Sequence, residues 1–164
     1  MPDFIKRVLG VLLVIAAQVL VLNHVHIAGY AAPMIFPLII INWKRGASRI
    51  ASLITAFVVG LVCDMFTNTP GIAAASLTLL AFIQPSLLEL FIQSDNEEEI
   101  VPSYGSMGVS AYMKYALLAV LIHNAAYFIL EFFTLFDLAV LGMNYGISTF
   151  LSLIIVLVVQ SLRK

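Results

Sequence analysis

Charge is scarce in this chain. Only 10% of its 164 residues are Asp, Glu, Lys or Arg, while 62% are hydrophobic. Soluble domains carry about 25% charged residues. Too little polar surface remains to cover a water-soluble core, and the mean hydropathy of +1.07 agrees. A net charge of −1 gives no basic footprint for nucleic acid. Cys63 is the single cysteine, which excludes an internal disulfide and any Cys-x-x-Cys metal pair. Enzyme signatures are missing too. There is no H-E-x-x-H and no G-x-S-x-G. "YGSMG" (104–108) has the wrong spacing, and His24 and His123 lack a nucleophile at a recognisable distance. No catalytic group, metal or cofactor is expected.

Long apolar runs are what the chain does have, and they are long enough for membrane helices rather than barrel strands. Five are plain, at 4–22, 50–66, 72–92, 112–136 and 147–162. The first carries Lys6 and Arg7 near its start and resembles a signal peptide, but its apolar part continues to Leu22, past a typical 7–15-residue apolar region, so it reads as a retained helix. A sixth run, 27–43, is weaker. It gives about 25 Å of helix against a ~30 Å hydrocarbon core. Pro33 and Pro37 predict a kink in it.

The positive-inside rule decides whether 27–43 spans. With six spans and a cytoplasmic N-terminus, all eight lysines and arginines fall on the cytoplasmic side. With five, only Lys6 and Arg7 do. The expectation is therefore an all-α integral membrane protein. It is a single domain of six transmembrane helices with both termini cytoplasmic. Its outer loops are short (23–26, 67–71 and 137–146), and its inner loops are 44–49 and 93–110. "DNEEE" (95–99) reads as a solvated loop, with docking of a basic partner as the alternative, and Glu89 as interfacial; Gln84-Pro85 predicts a second kink.

The one charge in "GLVCDMFTNTPGIAAAS" (60–76) is Asp64, near the end of an apolar run. Stepping back by four gives Gly60, Ala56 and Ser52, one helix face of small residues. Small stripes let membrane helices approach closely, so Asp64 is expected to face protein. After it, Thr69 fits an N-cap and Pro70 the first helical position. The free N–H groups of Gly71, Ile72 and Ala73 would then attract the Asp64 carboxylate. Asp64 and Asn68 are expected to pin an outer helical hairpin, with partner binding as a further role.

Polar residues within membrane helices are functional candidates by default. His123, Asn124, Tyr127 and Glu131 form an expected inward stripe. His123 is expected near mid-membrane and Glu131 near the outer side, where Asn23, His24, His26, Asp64, Asn68 and Glu131 suggest an outer polar cluster. His-x-His with two carboxylates is a possible metal set. Without a second short-spaced ligand pair, interhelical hydrogen bonding is the expected use.

Three stretches resemble a known family: "LVLNHVHIAGYAAPMIFPLIII" (20–41), "GLVCDMFTNTPGIAAASLTLLAFIQPSLLELF" (60–91) and "KYALLAVLIHNAAYFILEFF" (114–133). Together they resemble the MreD family of rod-shape-determining proteins, in its Bacteroidetes form. The family's Asp-x-Phe-…-Pro-Gly element falls on Asp64, Phe66, Pro70 and Gly71. The resemblance implies a six-helix protein of the bacterial inner (cytoplasmic) membrane, without enzymatic activity. It implies a role in cell-shape control and peptidoglycan synthesis, with MreC as partner. RodA, a class-B penicillin-binding transpeptidase and the MreB filament are further partners within that elongation machinery. It also implies a fold related to the substrate-binding subunits of energy-coupling-factor transporters. A vitamin-binding subunit of such a transporter is the alternative. Those subunits dock through an Ala-x-x-x-Ala face on the first helix, whereas here Ala16 and Ala17 are adjacent.

Overall fold

The computed structural model describes residues 2–22, 33–92, 100–132 and 138–162, and among these the protein is all-helical. In chain order the helices are α1 (Pro2–Leu20), α2 (Pro37–Ile41), α3 (Arg49–Thr67), α4 (Ile72–Glu89), α5 (Tyr104–Met107), α6 (Val109–Glu131) and α7 (Leu138–Leu162). Helices α3, α4, α6 and α7 are long and apolar enough to cross a membrane; α1 contributes a shorter apolar helix, Val8–Leu20. Outward faces such as Ile54, Phe57, Val58 and Met65 on α3, and Phe150, Ile154 and Val158 on α7, are exposed. Such a continuous apolar surface suits lipid and is unfavourable in water. This is a membrane protein.

The closest pairing is the α3–α4 hairpin, and Gly60 makes it possible. A Cβ built at Gly60 would stand 2.6 Å from Ala74 N and 2.8 Å from Ala73 C, so the two backbones touch there. The whole expected stripe, Ser52, Ala56, Gly60 and Asp64, is buried against this contact.

The segment expected as a helix over 27–43 departs from that reading. Among its described residues only Pro37–Ile41 is helical, and 33–35 are irregular. Pro37 opens the short helix. A proline there needs no N–H donor, and Phe36 before it already has helical angles (φ −61°, ψ −24°). This broken segment is the centre of the protein. Met34, Ile35, Phe36, Leu38, Ile40 and Ile41 are all buried, packed among α3, α4 and α6.

Two other boundaries moved. Helix α7 begins at Leu138, not 147, so most of the expected 137–146 loop is helical. Its polar residues find cover inside the bundle: Asn144 is buried, and the Tyr145 hydroxyl donates to the Leu121 carbonyl at 3.3 Å. The described part of the segment expected as the inner loop 93–110 holds one helical turn, α5, closed by a reciprocal Ser103–Ser106 capping box.

Candidate functional site

Two polar constellations sit inside the bundle, one at the α3–α4 turn and one along the broken segment. At the turn, Asn68 ends α3 in the left-handed conformation (φ 58°, ψ 33°), which asparagine tolerates better than most residues. Gly71 follows at φ 87° and serves as N-cap of α4. The helix therefore starts two residues later than Thr69-Pro70 implied. Pro70 lies in the turn, and the helix begins at Ile72.

Gly71 has no side chain to cap with, and Asp64 takes over. Its Oδ1 accepts from Ala73 N at 2.9 Å, and its Oδ2 accepts from Ala74 N at 3.0 Å. The Thr69 hydroxyl donates to Oδ1 at 3.0 Å. Thus a carboxylate near the end of one helix caps the N-terminus of the next, where free N–H groups and the helix dipole favour it. With 4% of its surface exposed, it has little access to solvent. The expected partners Gly71, Ile72 and Ala73 shift to Ala73 and Ala74. Beneath the turn lies a cavity of about 40 Å³ lined by Gln18, Met34, Phe36, Cys63, Thr67, Ala73 and Tyr127.

The second constellation supports backbone that has no helix of its own. Non-helical backbone at membrane depth is tolerated only where protein satisfies its polar groups. The Gln18 side chain does this from α1: its Nε2 donates to the Pro33 carbonyl at 3.1 Å, and its Oε1 accepts from Ile35 N at 2.8 Å. Between them, Met34 N donates to Ser152 Oγ on α7 at 2.9 Å. At the far end of the segment, the Tyr115 hydroxyl donates to the Ile41 carbonyl at 2.8 Å. Asn42 joins the Tyr112 hydroxyl (2.9 Å) to Gln160 (3.0 Å). Gln84 Nε2 reaches the Tyr115 oxygen at 3.1 Å.

Sequence reasoning passed over most of this second set. Its signal was present in α7, where Asn144, Ser148, Ser152 and Gln160 stand at multiples of four and are all buried. A polar stripe in an otherwise apolar helix marks a face turned towards protein.

The expected outer cluster lies only in part within the described residues. Asn23, His24 and His26 lie outside the described residues. Asn68 and Glu131 are exposed, so Glu131 leaves the inward stripe, while His123, Asn124 and Tyr127 are buried. His123 packs edge-on against Phe36 (5.1 Å between centroids, 87°), and neither ring nitrogen makes a hydrogen bond. The Asn124 amide donates to Thr149 at 3.1 Å. Among the described residues no group of three His, Cys, Asp or Glu side chains is placed to hold a metal ion. Comparison of the chain with protein-family models, curated proteins and solved structures returns no match.

Proposed function

We propose that this chain is a non-catalytic membrane scaffold of the bacterial cell-elongation complex, of the MreD kind, acting with MreC in the inner membrane. The observation that carries this reading is where the interior polar groups are used. Asp64, Gln18 and Ser152 are engaged by the chain's own backbone at 2.8–3.1 Å. Groups committed in this way fix a shape, and a fixed shape lets lipid-facing helices be presented to partners such as MreC, RodA and the transpeptidase.

The six-span topology belongs to the same proposal. The segment passes from the level of Ser152 (at Met34) to that of Gln160 (at Asn42). Those eight residues of α7 rise about 12 Å. The segment therefore runs alongside α7 through part of the bundle's depth, which supports a crossing completed in broken form. Both termini are then cytoplasmic.

A vitamin-binding subunit needs an interior ligand volume. Among the described residues the cavity under the Asp64 turn, at about 40 Å³, has room for no more than a few waters, and the larger cleft of about 430 Å³ opens instead beside the 43–49 turn. Side chains of the broken segment fill the space beside the first of these.

The test is isolation of the tagged chain from native membranes in lipid particles, with depletion followed by microscopy. Co-isolation of a single-pass coiled-coil protein of the MreC type and rounding of depleted cells are expected. Unchanged shape without such a partner overturns the proposal, and a tightly retained vitamin in native mass spectrometry favours the transporter subunit.

A further inference from the structure

At the end of the bundle away from Asp64, the cleft of about 430 Å³ opens between the 43–49 turn, the start of α3 and the last turns of α4. That volume falls within the ~300–1,000 Å³ range of small-ligand sites. Most polar groups on its walls are already used. Lys44 and Arg45 interact elsewhere in the protein. The Trp43 indole N–H and the Ser52 hydroxyl are buried within the wall, and the Gln84 amide donates to the Trp43 carbonyl and the Tyr115 oxygen. Two charges are left, one of each sign: Arg49 and Glu89, both exposed. Among the described residues neither is paired with an opposite charge.

The helices set where these charges stand. The Arg49 guanidinium donates one N–H to the Phe82 carbonyl at 3.2 Å and lies over the Phe82 ring, 4.9 Å from its centroid. A guanidinium has five N–H donors in a planar fork suited to phosphate, so most of its donors remain. Glu89 is the last residue of α4. Phe82 and Glu89 are nearly two full turns apart, so they share a face and differ in depth by about 10 Å. Because α4 runs from the Asp64 turn towards this end, the cation is the deeper of the two. The Glu89 side chain leans back along the helix towards it, as helical side chains do.

An independent observation concerns the apolar surface below Arg49. Phe82 and Leu79, one turn apart on α4, are 55% and 43% exposed. They carry the same side of the helix on towards the middle of the bundle, open to lipid. From the interior outwards the surface therefore offers an apolar track, then a cation, then a carboxylate. A lipid with a primary-ammonium headgroup has the complementary order: acyl chain, phosphate, ammonium. A purely anionic headgroup would leave Glu89 facing a negative charge. A choline headgroup has no N–H to donate to the carboxylate, whereas an ammonium has three.

We propose that this cleft binds the headgroup of a phosphatidylethanolamine-type lipid from the adjacent leaflet. Arg49 takes the phosphate, Glu89 takes the ammonium, and an acyl chain lies along Phe82 and Leu79. Each contact is between exposed charges, so each contributes about two- to five-fold to binding. The zwitterion gains both contacts, and a headgroup with one charge gains one.

The test is native mass spectrometry of the full chain released from nanodiscs of phosphatidylethanolamine, phosphatidylglycerol and phosphatidylcholine in equal amounts. Preferential retention of phosphatidylethanolamine is expected. Glu89→Gln, which keeps the size and removes the charge, lowers that retention about two- to five-fold and narrows the gap to phosphatidylglycerol. Arg49→Gln lowers it by a similar factor. Lys114→Gln, an exposed cation on α6 that does not line the cleft, leaves it unchanged. Equal retention of the three lipids overturns the proposal, as does phosphatidylglycerol retained above phosphatidylethanolamine. A Glu89→Gln effect no larger than that of Lys114→Gln also overturns it. A last arm adds glycerophosphoethanolamine, the headgroup without acyl chains, to phosphatidylcholine nanodiscs. Its retention at the level of the intact lipid overturns the lipid as the ligand's source.

Discussion

Replacing Asp64 tests how the α3–α4 hairpin is held. Asp64→Ala removes the acceptor for Ala73 N (2.9 Å) and Ala74 N (3.0 Å), which lie buried at the start of α4. Each donor left unsatisfied costs about 1–3 kcal/mol. The Thr69 hydroxyl loses a partner too, but Thr67 Oγ1 stands 2.6 Å away to accept its proton. The expected loss is about 3–4 kcal/mol. Asp64→Asn keeps one oxygen but turns an NH₂ towards Ala74 N–H, donor against donor. It also weakens the attraction to the helix dipole, and about 2 kcal/mol is expected. The order wild type, Asn, Ala follows from the geometry. Equilibrium unfolding in bicelles by added SDS, followed by far-ultraviolet circular dichroism, measures it. A Thr69→Val cycle should show coupling of about 0.5–1 kcal/mol with Asp64, since the two groups touch. Asp64→Ala within about 0.5 kcal/mol of wild type would refute the capping argument. Equal effects of Asn and Ala would show that the one oxygen Asn keeps contributes nothing, and an Asn variant as stable as wild type would show that the second oxygen contributes nothing.

Gly60→Ala should destabilise by about 1–3 kcal/mol or more, because the new Cβ meets the α4 backbone at Ala73–Ala74 rather than a yielding side chain; the same unfolding assay reads it. Gln18→Leu should cost about 2–4 kcal/mol, since both the Pro33 carbonyl and Ile35 N lose their partner, and hydrogen exchange should quicken at Ile35. Asn68→Gly should be nearly neutral, whereas Asn68→Val should cost about 1–2 kcal/mol, because its φ of 58° suits the first and not the second.

The hairpin was legible because its determinants are local. Ser52, Ala56, Gly60 and Asp64 share a face by helical period alone, and a carboxylate in an apolar run has to find donors. The cap was misplaced by two residues because Thr69, Pro70 and Gly71 each suit a helix start. Which of them serves depends on the turn's backbone angles, where Gly71 is left-handed and Thr69 bonds the carboxylate instead of capping. The late start expected for α7 came from reading Asn144, Tyr145 and Gly146 as loop residues. In the bundle Asn144 is buried and Tyr145 bonds the α6 backbone, so the helix continues through them.

The sequence by itself determined the solvent of this protein, the long apolar helices that live in it, and the inward face that ends in Asp64. Composition and the 3.6-residue period suffice for those, because each is a property of one segment and its surroundings. The broken path of Pro33–Asn42 was decided by tertiary structure. Two prolines forbid a regular helix there, but unwound backbone persists in a membrane only if distant side chains satisfy it. Those partners are Gln18, 17 residues before Ile35 in sequence, and Ser152, 118 residues after Met34. Nothing local to the segment specifies either; folding brings them together because the low-dielectric interior offers its backbone no water.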